Sequence, residues 1–259
     1  MKHLKNLKLI IATPCFGGLC NAQYTRSLID LVLMAKSLGV KINILFNWNS
    51  SLITKGRNDL ANNFLFNTDA DYFMFIDSDI EFQAMDVIRL LGHQELVVGG
   101  TYAKKELQWN LIKDFYLSNM AGRYDDEVLQ TTNKYALSIS DDKSVINDKG
   151  LIEVDRLPTG FLMIKREAFD LLKPYCPKYK LDNNVVKGTD TQIGYAYFET
   201  YINEELEYIS EDYGFCDRWR KTGGKVYVDP ALEINHIGNI NYKGCMLTKI
   251  KNWNNGKTK

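Results

Sequence analysis

Cysteine is scarce and carries no pattern: Cys15, Cys20, Cys176, Cys216 and Cys245 are odd in number and include no CxxC pair. Neither a disulfide framework nor a thiolate zinc site is implied, and reduced, mostly buried thiols are expected. Long apolar runs are missing as well. No segment approaches the roughly 20 consecutive apolar residues that span a bilayer. The lysine-flanked start, MKHLKNLKLIIATPCF, has too short an apolar stretch for a signal peptide and no cleavage site. Nor does one sign of charge dominate: 32 Lys and Arg balance 32 Asp and Glu, so no global field favours nucleic acid or an anionic membrane, and only a local basic patch stays open. Internal repeats and low-complexity linkers are absent. The expectation is a soluble, cytoplasmic protein with no integral membrane segment.

Apolar material for a core is abundant. At 259 residues, 45% hydrophobic and 12% aromatic, the chain can bury one large domain or two merged lobes. Leu7 to Thr13 is a short β-rich run ending at Pro14 and Gly17-Gly18. Ala22 to Leu38 follows with apolar residues at helical spacing and a stop at Gly39. Lys41 to Phe46 reads as a strand, Lys55 to Phe66 as a helix and Tyr72 to Ile76 as a third strand. Strand and helix therefore alternate, which predicts a parallel α/β sheet with helices on its faces. From Lys104 to Gly150 the pattern loosens, as a variable insertion or flap would. Leu151 to Lys165 reads as strand, turn at Pro158 to Gly160, and strand. Asp190 to Tyr208 stays open between strand and helix, whereas Glu211 to Lys221 reads as a helix opened by Ser210 and followed by the strand KVYVD.

Ligands of such sheets bind beyond the carboxyl ends of the strands. The stretch FMFIDSDIEF ends a strand there on Asp77, Ser78 and Asp79. Two carboxylates this close repel unless a cation is shared, and oxygen ligands suit Mg²⁺ or Mn²⁺. The first loop, PCFGGLC, is not GxGxxG, which argues against a dinucleotide dehydrogenase. KGRND places Arg57 and Asn58 at a helix start, where a guanidinium and free backbone N–H groups favour phosphate. SEDYGFCDRWRK places Glu211 and Asp212 at another, where acids also simply complement the helix dipole. Late in the chain, EINHIGNINYKG carries His236, an imidazole suited to Mn²⁺.

In this order of features the chain resembles the nucleotide-sugar glycosyltransferases of the GT-A fold, whose DxD motif ends a strand after an apolar run. The resemblance implies a single domain over 1–259, a mixed, mostly parallel central sheet flanked by helices. Residues 1–103 would be the nucleotide-binding half, 104–150 the insertion and 151–259 the acceptor half. It implies Asp79, Asp77 and His236 as metal ligands for Mn²⁺ or Mg²⁺. It puts Thr13, Pro14, Arg57, Asn58, Asp77, Ser78, Gly160 and Lys243 at the donor, commonly a uridine diphosphate sugar. Asp212, with Glu211 as neighbour or substitute, would be the base that deprotonates a hydroxyl acceptor, giving inversion. Gly99 to Tyr102 and LPTGF are implied to line the donor side, with glycine allowing close backbone approach. A glycan is the leading acceptor and a hydroxylated nucleobase in DNA a minor one. Two alternatives remain: a non-catalytic carbohydrate- or nucleotide-binding module, and a sugar nucleotidyltransferase, for which the first loop is short of basic residues beyond Arg26. Trp48, Trp109, Trp219, Tyr195, Tyr197, Phe198 and Tyr201 offer stacking faces, most of them expected in the core. The tail KIKNWNNGKTK is either solvated or closes over diphosphate.

Overall fold

The structure is a computed structural model that describes residues 4–48, 51–117, 125–140, 145–182, 185–186 and 192–256. The first half runs β1 (Lys8–Cys15), α1 (Ala22–Leu38), β2 (Lys41–Trp48), α2 (Ile53–Asn67), β3 (Tyr72–Ile76), β4 (Ile80–Glu81), α3 (Ala84–His93) and β5 (Val97–Gly99). Two helices follow, α4 (Trp109–Leu117) and α5 (Asp125–Thr132), then β6 (Ile152–Val154), β7 (Phe161–Lys165) and α6 (Arg166–Leu172). The remainder is β8 (Lys178–Lys180), β9 (Ile193–Tyr195), β10 (Tyr201–Ile202), β11 (Tyr208–Ile209), α7 (Glu211–Lys221), β12 (Val226–Val228), β13 (Asn235–Ile237), β14 (Asn241–Tyr242) and α8 (Met246–Gly256).

Seven strands form one sheet in the order β2-β1-β3-β7-β5-β12-β6. β1, β2 and β3 are mutually parallel, β7 runs against both β3 and β5, β12 is parallel to β5, and β6 is antiparallel at the edge. The fold is thus a mixed α/β one, most strands sharing a direction and helices covering both faces. The run YFMFI of β3 is buried at every residue because alternate side chains enter different cores. Met74 and Ile76 join Leu9 and Ile11 of β1 beneath Leu28 of α1 and Leu91 of α3. Phe73 and Phe75 join Ile10 and Ala12 beneath Leu60 and Phe64 of α2, with Phe215 and Trp219 of α7. Among the described residues no helix is long and apolar enough to cross a membrane.

Three regions take definite form. β6 and β7, read as strand, turn and strand, do not pair with each other: β12 and β5 lie between them in the sheet. Adjacent apolar runs look alike whether they pair or not, since pairing is set by distant strands. The loosely patterned region from 104 to 150 contains α4 and α5, with α5 packed on α8, and residues 118–124 and 141–144 of it lie outside the described residues. That packing also places Lys249 to Gly256 of the basic tail in a docked helix; residues 257–259 lie outside the described residues. The region from Asp190 to Tyr208 resolves as strand, with β9 paired to β8 and β10 to β11, and 190 and 191 lie outside the described residues.

Helix α3 opens with a reciprocal cap in which the Gln83 N–H donates to Asp86 Oδ2 at 2.9 Å. Burial drives the Asp86 carboxyl up to about 6, against that hydrogen bond and with help from Glu233 and Asp229. An acid whose folded-state pKa is raised stabilises below its unfolded pKa and loses that contribution as pH rises through the folded value. The Asp86 share of stability should therefore decline by about 3 kcal/mol between about pH 4 and pH 6. Asp86→Asn, which keeps an acceptor oxygen and has no proton to lose, should not show that decline. Urea denaturation of both proteins across this range checks it, and parallel stability curves would refute it.

Candidate functional site

The DSD stretch leaves the carboxyl end of β3 between two supports. Asp77 N–H donates to the carbonyl of Gly160 at 3.0 Å, tying the motif to the loop before β7. Asp79 carbonyl accepts from Ile237 N–H at 2.8 Å, and β4 pairs antiparallel with β13, so the late strand carrying His236 is zipped to the motif. Ser78 carbonyl accepts from Asn21 N–H at 2.9 Å, fastening the motif to the start of α1. The loop before β7 is pinned to α7 in turn, because Leu157 N–H donates to Cys216 Sγ at 3.4 Å. By these bonds β3, β13 and α7, far apart in sequence, meet at one edge of the sheet.

One half of the site is a buried ion cluster. Arg57 on α2 is only 5% exposed. Its guanidinium donates to both oxygens of Asp77, at 3.0 and 3.2 Å, and through Nε to Glu211 Oε1 at 3.2 Å. It also lies over the Phe75 ring, 4.9 Å from the centroid. Arg57 is thus spent on protein carboxylates, and it reaches a nucleotide only through them.

The other half centres on Asp79. Its Oδ2 accepts from Lys105 Nζ at 2.6 Å and lies 3.4 Å from His236 Nε2. His236 Nδ1 is 3.0 Å from the carbonyl of Ala103, so Nδ1 carries the proton and donates it. The other nitrogen, Nε2, faces Asp79: a proton there is donated to the carboxylate, and where a cation takes that proton's place Nε2 supplies a lone pair. Burial opposes ionisation of Asp79, but the hydrogen bonds from His236 and Lys105 outweigh it and hold the carboxyl at about 2.

Between the halves stands Tyr102, whose ring packs edge-on to His236 at 5.0 Å. It is 8% exposed and its hydroxyl has no hydrogen-bond partner among the described residues. Burial, with Asp77 the strongest charged neighbour, pushes its phenol well above the ordinary range. Gly160 is required beneath it: a Cβ there would come within 2.3 Å of the Tyr102 oxygen. Asp212, at the start of α7, accepts from Ser210 Oγ and from Tyr213 N–H at 2.8 Å, both through Oδ1, and Oδ2 has no hydrogen-bond partner among the described residues. Sequence reasoning reached Tyr102 only as part of GGTY; the signal for it was Gly160, a glycine that makes room for a ring 58 residues earlier in the chain.

Several expected donor contacts fall elsewhere. Asn58 is 2% exposed and fully used: its Oδ1 accepts from Phe198 N–H at 2.8 Å, and Nδ2 donates to Phe198 carbonyl and Glu199 Oε1. An amide at a helix start serves a neighbouring loop as readily as a ligand. Thr13 is buried with its hydroxyl 2.5 Å from Tyr24 Oη, and Pro14 is a half-buried strand residue in register with Asn47. Lys243 pairs with Asp126 at 3.5 Å and lines a 730 Å³ cavity behind the small sheet, with Arg26 and Glu233. Gly99 and Gly100 serve packing: Cβ atoms there would strike the Phe161 carbonyl at 2.4 Å and Ile234 at 2.1 Å. Trp219, Tyr197 and Phe198 are core, while Trp48 at the end of β2 is 70% exposed. All five cysteines are unpaired and all but Cys20 are buried.

Among the described residues, no group of three or more His, Cys, Asp or Glu side chains is arranged to hold a metal ion. The expected trio of Asp77, Asp79 and His236 is not assembled, because Arg57 holds both oxygens of Asp77. Asp79 and His236 nonetheless fit a divalent cation in donor chemistry, an oxygen and an imidazole oriented by a backbone carbonyl. The Lys105 ammonium against Asp79 supplies positive charge at the same point, on a flexible stem able to withdraw.

No family model and no curated protein matches the chain. Among solved structures, one that it resembles is the viral protein A197 from STIV, at 18% identity and a TM-score of 0.49, over 90% of this chain and 87% of that one.

Proposed function

We propose that this chain is a divalent-metal-dependent glycosyltransferase that moves a sugar from a nucleotide-diphosphate donor to a hydroxyl acceptor, with uridine diphosphate the first base to test. The observation that carries this reading is the meeting of Asp79 and His236 at the carboxyl edge of the sheet, with Nδ1 already committed to Ala103 and Nε2 turned toward the carboxylate. Asp79 and His236 would hold Mn²⁺ or Mg²⁺, whose chemistry is to offset charge on a leaving diphosphate. Arg57 fixes Asp77 and Glu211 in place. Tyr102 offers an O–H to a phosphate or sugar oxygen, without a competing partner among the described residues. Asp212, with Oδ2 unbonded among the described residues, takes the proton of the acceptor hydroxyl as its oxygen attacks the sugar carbon opposite the diphosphate, which yields inversion. A glycan is the acceptor put first; balanced overall charge argues against DNA.

A thermal-shift series tests the donor site. A nucleotide diphosphate at about 100 times its Kd should stabilise the protein by about 2.7 kcal/mol when Mn²⁺ is present. Asp79→Ala and His236→Ala should abolish that shift. A folded wild type that responds to no nucleotide with metal would end the proposal.

Tyr102→Phe separates the binding role from the fold. It removes a hydroxyl that bonds to none of the described residues, so stability should be unchanged or rise by up to about 1 kcal/mol. Donor turnover should fall roughly tenfold. A loss of stability with unchanged turnover would assign Tyr102 to packing alone.

A non-catalytic binding module is the second reading, favoured by one observation: the protein's own cations already neutralise Asp77 and Asp79. Metal-dependent hydrolysis of a nucleotide sugar, present or absent, separates the two.

A further inference from the structure

A cavity of 550 Å³ lies where α8 crosses the edge strand β6, away from the acids described above. Its walls are apolar: Leu137, Ile139, Ile146, Ile152, Met246 and Ile250. Its remaining lining among the described residues is Tyr135 and three lysines, Lys104, Lys134 and Lys249, with no acid. The wall is rigid where it matters, since Tyr135 Oη donates to the Gln130 carbonyl at 2.7 Å and accepts from Cys245 N–H at 2.9 Å.

Among the described residues the charge is largely uncompensated. Lys249 Nζ is held by the Asn133 carbonyl at 2.6 Å and the face of Tyr135, and by no carboxylate among the described residues. Burial lowers its pKa, with no acid to oppose the shift. Lys104 has no ion pair among the described residues, and Lys134 only a long one to Glu106 at 3.8 Å. A partly buried ammonium beside an apolar cavity calls for an anion that carries its own apolar body.

We infer that this cavity binds a single-chain amphiphile with an anionic head, the chain against the isoleucines and the carboxylate or phosphate on Lys249 and Lys104. The volume is that of a small-molecule site and too small for a groove that accepts several turns of a peptide helix. A second copy is disfavoured, because a two-fold contact would set these lysines against their own images. The wall is shared with the candidate active site: Ala103 holds His236 and Lys105 holds Asp79, on either side of Lys104. The inference does not rest on the glycosyltransferase reading, and its test uses neither metal nor nucleotide.

Decanoate, decyl phosphate and decanol are titrated into the full chain below their self-association concentrations, by calorimetry and by displacement of a dansylated fatty acid. Both anions should bind and compete, and decanol should bind about tenfold more weakly. Lys249→Met should erase that preference, with Lys104→Met as the second variant should the first fail to fold. Ile146→Asp, at a position 42% exposed, should weaken all three ligands without loss of fold. Equal binding of decanol and decanoate, an unaltered preference in both lysine variants, or no anion binding to folded protein would each overturn the inference. So would binding to phosphatidylglycerol vesicles without binding to the monomeric anions, which would mark a membrane-facing surface.

Discussion

Arg57→Met is expected to cost about 3–5 kcal/mol of folding stability, because it strips the shared cation from two enclosed carboxylates. Burial alone would lower the pKa of the guanidinium; Asp77 first, then Glu211, outweigh that and hold it above the ordinary value. With methionine in its place, Asp77 and Glu211 lose the cation they share. Against a total stability of about 5–15 kcal/mol, the loss should appear as a large drop in the urea midpoint near neutral pH. Arg57→Lys should recover only part, because a point charge cannot serve both oxygens of Asp77 and Glu211 at once. Neutralising the acids as well, in Arg57→Met with Asp77→Asn and Glu211→Gln, should recover most of it. Equal midpoints for wild type and Arg57→Met would mean that the cluster holds no stability.

Asp79 and Lys105 are expected to move metal affinity in opposite directions. Asp79→Asn removes the negative ligand and should weaken Mn²⁺ binding by about 100-fold or more. Lys105→Met removes an ammonium that competes for the same oxygen, and should strengthen binding by roughly fivefold, since the pair is partly solvated. The carboxyl needs no deprotonation at neutral pH: with its pKa at about 2, its contribution is present above about pH 4 and lost only as pH falls toward the folded value. Mn²⁺ titration followed by paramagnetic resonance reads both variants directly. If Lys105→Met weakens binding as Asp79→Asn does, the lysine is part of the site rather than a rival to the cation.

The regular elements were legible because period and punctuation are local. The run YFMFI is apolar throughout and is buried on both faces, and AQYTRSLIDLVLMAKSL ends on Gly39 with φ of 75°, as its composition implied. The acids of DSD and the pair Glu211-Asp212 were legible for a related reason: charged residues at the end of a buried strand or the start of a helix need partners. What those partners are was not legible. Arg57 looked like a residue facing a nucleotide and is instead closed over Asp77; Asn58 looked like its companion and instead splints the Phe198 backbone. Both contacts reach across more than 19 residues to elements whose placement no local pattern encodes. The region from 104 to 150 misled for the opposite reason, since α5 is held by α8 rather than by a strong periodicity of its own.

The sequence by itself determined the alternation of strands and helices, the burial of β3, and the acidic ends that mark one edge of the sheet, because burial and chain reversal act residue by residue. Only the tertiary structure decided that β7 enters between β3 and β5, that β13 zips His236 against Asp79, and that Tyr102 stands over Gly160. Those arrangements are set by contacts between segments distant in the chain, whose energies depend on shape and on shared charge, and neither can be read from one segment alone.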